Sequence, residues 1–270
     1  MNRFRRLVLE LGHGAADPET MRQAAAFARL MDADLHALFI EDETLLHASA
    51  LPFAREISPL SLRWRPLEQD QLEAELRAAA DQARRHFEAA AHATGVKPSF
   101  EVRRGDLALH VIDTCVASDI VVVSPPRRLG TGTTHGFRLL RETARRSAAS
   151  LLFLPPHTGR PRGLIVGVAA GAGDPSLEVA RGIAAVGREP LLVLAPMGSE
   201  IVEGEGRGEI APRILRGTSA QDMMAALGDT RERLIVMMRA DDTEVASTGT
   251  EPGAELSAAR GVPVLVVEPD

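Results

Sequence analysis

Arg6-Leu7-Val8-Leu9-Glu10-Leu11 runs through glycines to Asp17-Pro18 and an alanine-rich segment. Gly163-Leu164-Ile165-Val166-Gly167-Val168 runs through glycines to Asp174-Pro175 and a similar segment. Leu7 to Leu164 and Asp17 to Asp174 share one offset of 157 residues. An apolar run bounded by glycine reads as a buried parallel strand. Asp before Pro reads as a helix start, because the carboxylate accepts from orphan N–H groups and proline is pre-set for the first helical position. The chain therefore opens twice with strand, glycine turn and helix.

The later parts repeat as well. Arg104-Gly105 and Arg216-Gly217 each close a strand, while Ser150–Pro155 and Val264–Pro269 each close a copy. The first copy, residues 1–156, reads β(6–12), α(18–32), β(34–41), an excursion over 43–67, α(68–94), β(98–104), α(107–117), β(119–124), a loop, α(137–148) and β(150–154). The second, residues 162–270, reads β(163–169), α(175–187), β(190–195), a loop, β(209–216), α(219–228), β(233–239), a loop, α(252–260) and β(262–267). Alternation of strands and helices implies βαβ crossovers and a mostly parallel sheet. Met197 to Gly208 leaves no room for a helix, so the second copy is the shorter. Within the excursion, Phe53 and Trp64 read as anchors on the domain surface.

Composition narrows the chemistry. Net charge is −6, which gives no overall pull toward nucleic acid or anionic membrane. No apolar run approaches the roughly 20 residues of a membrane span, so the cytoplasm is the expected location. Cys115 is the only cysteine, excluding intramolecular disulfides and thiolate zinc sites. Of 31 basic residues only Lys97 is lysine, and no Walker A loop exists. The histidines show no metal-ligand spacing, and Ser124 sits in no G-x-S-x-G elbow. Arg138, Arg141 and Arg145 mark one helix face that reads as solvated.

This order of elements, with its Arg-Gly and terminal-strand features, resembles a tandem universal stress protein over essentially the whole chain. The resemblance implies two Rossmann-like domains of the adenine nucleotide alpha hydrolase type, with mostly parallel five-stranded sheets in order 3-2-1-4-5. It also implies pairing of terminal strands between domains, here strands 150–154 and 262–267 of one chain. A homodimer of the whole chain is a further expectation.

Members of that family that bind ATP carry an Asp after the first strand and a G-x2-G-x9-G-[ST] loop after the fourth. By spacing the Asp place falls on Gly12 and Ala169, neither of which supplies a carboxylate. In the phosphate loop Gly136 stands for the last glycine, but Phe137 holds the Ser/Thr place and G-x2-G is absent. The second copy has Asp241, Asp242 and Glu244 there, which would repel phosphate.

Independently of the family, Gly12-His13-Gly14 follows strand 1 and Gly130-Thr131-Gly132-Thr133-Thr134-His135-Gly136 follows strand 4. Ligands of open α/β sheets sit between such loops, where strand order reverses. Glycines let the backbone approach an anion, and Arg127 adds a charge-assisted contact. Ile40 and Ser124, at the ends of strands 2 and 4, complete a candidate set with Gly12, His13, Gly14, Arg127, Gly130, Gly132, Thr133 and Gly136. The expected ligand is a small phosphate-bearing molecule, ATP or AMP, in the first copy only. The expected role is non-enzymatic stress response or regulation, with the second copy as a built-in dimer partner. The alternatives are a nucleotide-hydrolysing enzyme using His13, His135 and Glu10, and a scaffold with both sites dead that binds partners through Trp64.

Overall fold

The computed structural model describes residues 3–11, 17–57, 62–105, 115–124, 147–155, 160, 162–169, 171, 173–199, 208–239 and 251–268. Twelve strands are described: β1 (Arg6–Leu11), β2 (Asp34–Asp42), β3 (Arg55–Ile57), β4 (Trp64–Pro66), β5 (Pro98–Gly105), β6 (Asp119–Val123), β7 (Ser150–Phe153), β8 (Leu164–Val168), β9 (Leu191–Pro196), β10 (Glu209–Leu215), β11 (Glu232–Met238) and β12 (Val264–Val267). The described helices are α1 (Pro18–Leu30), α2 (Glu43–Ser49), α3 (Gln69–Thr94), α4 (Pro175–Gly187), α5 (Ala220–Leu227) and α6 (Pro252–Arg260).

Ten strands form one sheet in the order β10-β9-β8-β11-β12-β7-β6-β1-β2-β5. Each half contributes five strands in the order 3-2-1-4-5, parallel throughout. The halves join where β12 pairs antiparallel with β7, Val264 opposite Phe153 and Val266 opposite Leu151. That join points the carboxyl edges of the two halves in opposite directions. Side chains reinforce it. Arg239 donates to the carbonyls of Ser147 (3.0 Å) and Ala149 (2.5 Å) and pairs with Glu268 at 2.6 Å. The Glu268 N–H donates to Ser150 Oγ.

The Asp-Pro starts work as the sequence implies. The Asp17 carboxylate accepts from the Glu19 N–H, and that of Asp174 from the Ser176 N–H at 2.9 Å. α1, α3 and α4 pack on one face of the sheet in a core that crosses both halves. α5 and α6 cover the other face of the second half, with Leu256 and Met223 against Ile235 and Val266. β6 and β12 are buried along their whole length, as parallel strands covered on both faces must be.

The structure changes three readings. First, the constant offset fails by one residue inside the strands. Leu7, Leu9 and Leu11 face α1, but the α4-facing residues of β8 are Ile165 and Gly167, whereas Leu164 and Val166 lie in the opposite core. Register agrees: Leu7 pairs with Leu35 and Ile120, and Ile165 pairs with Leu191 and Leu234 in the same way. With a side-chain period of two, a one-residue slip exchanges the faces. Leu7 therefore corresponds to Ile165, and the extra residue lies between Leu11 and Asp17, outside the described residues.

Second, the 43–67 excursion holds α2 and a β3–β4 hairpin, and Phe53 (76% exposed) and Trp64 (63%) do not anchor it. Third, Cys115 to Ser118 and Ser147 to Ala149 are not helical, so the ends of the segments expected as helices over 107–117 and 137–148 are not helical. Their remaining parts lie outside the described residues.

Candidate functional site

In the first half β1 lies between β2 and β6, so the chain crosses over in opposite senses on its two sides. The strand-order reversal falls between β1 and β6, at the carboxyl edge formed by Leu11, Val123 and the end of β2. Of the ten residues in the sequence-derived set, Ile40 and Ser124 are described. Ile40 is 6% exposed on β2, on the sheet face opposite α1 and α3. Ser124 directly follows β6 and is half-buried. Gly12, His13, Gly14, Arg127, Gly130, Gly132, Thr133 and Gly136 lie outside the described residues, as do His135, Arg138, Arg141, Arg145 and the acidic stretch after Arg239.

The informative side chain at this edge is Glu10. It stands opposite Leu38 of β2, one residue beyond the Leu9–Val122 pair that sets it beside Val123 of β6. Leu38 and Val123 are both fully buried. Glu10 makes no hydrogen bond or ion pair among the described residues. Glu10 itself is half-buried, and loss of water beside these apolar neighbours disfavours its charged form and pushes the carboxyl up to about 7. In the second half the slipped register puts Val168 in its place, a buried valine within the core. The two edges therefore differ at the same structural position: one holds a titrating carboxyl, the other a methyl surface.

A second polar group occupies the same face toward the amino ends of the strands. Arg6 clamps Asp119 through two bonds of 2.8 Å, and the Asp119 carboxylate also accepts from the Val116 N–H at 2.9 Å. His36 Nδ1 lies 2.8 Å from Ser99 Oγ, with Nε2 at 3.6 Å from Glu101. Burial, aided by the Arg6 charge, holds the His36 pKa below its usual value. Burial likewise drives the Cys115 thiol up to about 12, so it behaves as an inert core residue. On the opposite face, Arg104 donates to buried Glu41 at 2.7 Å, tying β5 to the end of β2.

Sequence reading named Glu10 only for the hydrolytic alternative, outside the ten-residue binding set, and missed the Arg6–Asp119 clamp. The signal for Glu10 was available: an acid interrupting an apolar strand, two residues before the turn. The Arg6–Asp119 pair carried none, since its members are 113 residues apart.

No family model matches the sequence, and no curated protein matches it. Solved structures do match in fold. A universal stress protein from Archaeoglobus fulgidus DSM 4304 superposes with a TM-score of 0.66 at 12% identity, covering 97% of this chain and 96% of that one. A putative universal stress protein from Pseudomonas aeruginosa UCBPP-PA14 gives 0.53 at 14% identity, covering 99% and 94%. A functionally unknown protein from Pseudomonas aeruginosa PAO1 gives 0.53 at 14% identity, covering 99% and 93%. The chain has the universal stress protein fold along nearly its full length. No described helix is long and apolar enough to cross a membrane.

Proposed function

We propose that the chain is a non-enzymatic regulatory protein of the stress-response kind, made of two copies of one unit. The first copy binds a nucleotide or other phosphate-bearing ligand at the β1–β6 reversal. The second serves as its permanent dimer partner through β12 and β7. The observation carrying this reading is the asymmetry between Glu10 and Val168 at equivalent edges. A carboxyl close to half protonated at neutral pH can donate to a ligand acceptor, and it repels an anion less than a full charge would. Glycine loops on both sides of that edge supply N–H groups for phosphate, as read from the sequence.

Calorimetric titration with ATP, AMP, cyclic nucleotides and inorganic phosphate tests the proposal. The expected result is one site per chain, with affinity rising from pH 8 to pH 6 as Glu10 gains its proton. The phosphate's own titration contributes in that range, so Glu10→Gln, which loses only the carboxyl's share, isolates it. Silence for all these ligands sinks the ligand-binding reading and leaves a scaffold.

A second reading is favoured by the same carboxyl. A group titrating near 7 is matched to general-base work, and Glu10 next to a bound nucleotide could activate water. Steady phosphate release from ATP, abolished by Glu10→Gln with binding retained, would select the hydrolytic enzyme. Absence of turnover while ligand binds selects the regulatory protein.

A further inference from the structure

The β3–β4 hairpin has one apolar face left exposed among the described residues. Arg55 stands opposite Pro66, Glu56 opposite Arg65 and Ile57 opposite Trp64. Because side chains alternate across a strand, Ile57, Trp64 and Pro66 share one face, while the Glu56–Arg65 ion pair lies on the other. Ile57 is 49% exposed, Trp64 63%, and the neighbouring Phe53 and Leu62 are 76% and 78% exposed. β3 and β4 pair chiefly with each other. An isolated two-stranded hairpin is marginal in water, so one with a bare apolar face calls for a cover.

We propose that this cover is the same hairpin of a second copy of the chain, the two apolar faces packing across a two-fold axis. Area and charge favour this occupant. Phe53 and Trp64 together leave on the order of 300 Å² bare. With Leu51, Ile57 and Leu62, exposed on the same segment, the bare apolar area of residues 51–66 reaches several hundred Å², the size that marks an interaction surface on a monomer. Two such faces bury on the order of 1,200 Å², the lower end for a specific protein pair. Arg55 is the only charge on the face, at its rim, so like can pack on like without burying an unpaired ion. An anionic lipid surface is the poorer fit: Arg65 points away and is neutralised by Glu56, and the chain carries net charge −6. The β7–β12 join is already used within the chain, so this association is additional to it.

The test exploits Trp64, the single tryptophan. Sedimentation equilibrium of the full chain, with tryptophan emission recorded at each concentration, should show monomer passing to dimer. A dissociation constant on the order of 10 µM is expected, and the emission should shift to the blue along the same curve. Ile57→Lys, opposite Trp64, should raise that constant at least tenfold with the melting temperature unchanged and the emission staying red. Three outcomes overturn the proposal: one-chain mass up to ~100 µM, a dimer insensitive to Ile57→Lys with unmoved emission, or a blue shift that needs vesicles of anionic lipid. Capture of a different protein by a chain that never self-associates falls under the first.

Discussion

Replacing Glu10 by glutamine should alter the pH dependence of stability in a way calculable from the structure. The carboxyl rises from 4.5 to about 7 on burial. Between those values the folded chain binds a proton that the unfolded chain has released, so stability falls as pH rises through the interval and is lowest above 7. At about 1.36 kcal/mol per pH unit the full effect is ~3 kcal/mol. Between pH 5 and pH 8, and with solvent on the open side of the crevice, about 2 kcal/mol remains. Glutamine keeps the shape and has no proton to lose. Urea unfolding of both proteins across pH 5–8 should show the difference between them growing by that amount in favour of the variant at high pH. Other titrating groups are common to both chains and cancel. Parallel curves across the whole range would refute the placement of Glu10 among Leu38 and Val123.

Other perturbations follow from the same packing. Asp119→Ala removes two charged hydrogen bonds from Arg6 and the acceptor of the Val116 N–H, and should lower unfolding free energy by about 1–3 kcal/mol in denaturant titration. Gly253→Ala puts a Cβ 2.5 Å from Val266 Cγ2 and 3.4 Å from the Phe153 ring, where α6 rests on the join between halves. It should cost about 1–3 kcal/mol and lower the melting temperature, whereas Gly182→Ala, with open space around it, should not. Cys115 should react with a thiol reagent only after denaturant is added, since its thiol is buried and pushed up to about 12. His36 should stay neutral below its ordinary titration range, which an imidazole proton NMR titration reads directly.

The fold was legible because its signals are local. Apolar runs, Asp17-Pro18, Asp174-Pro175 and glycine caps such as Gly95 and Gly261 punctuate most of the described strands and helices around the main sheet. The terminal-strand pairing was expected from the family resemblance, and the antiparallel β7–β12 ladder bears it out. Register was harder. A constant offset between the Asp-Pro starts gave no sign of a residue gained before Asp17, and the face β8 presents emerges only from its ladder partners and the packing of Gly167 against Ala180. The hairpin at Arg55–Pro66 also escaped notice, because Pro59 and Pro66 suggested irregular chain and three-residue strands carry little periodicity. At the candidate site the glycine loops stood out in sequence, yet they lie outside the described residues. Glu10 stood out in sequence as an acid within an apolar strand, but its apolar surroundings, Leu38 and Val123, show only in three dimensions.

Hydrogen exchange measured by mass spectrometry, with and without saturating AMP or ATP, tests the asymmetric-site account most directly. It reads both crevices of one chain at once, and the antiparallel join places them at opposite ends. The account predicts slowed exchange in peptides spanning Glu10 to Gly14 and Ser124 to Gly136, and none in those spanning Val168 to Gly173 or Arg239 to Glu251. Protection in the second-half peptides, or none anywhere with either nucleotide, would contradict it.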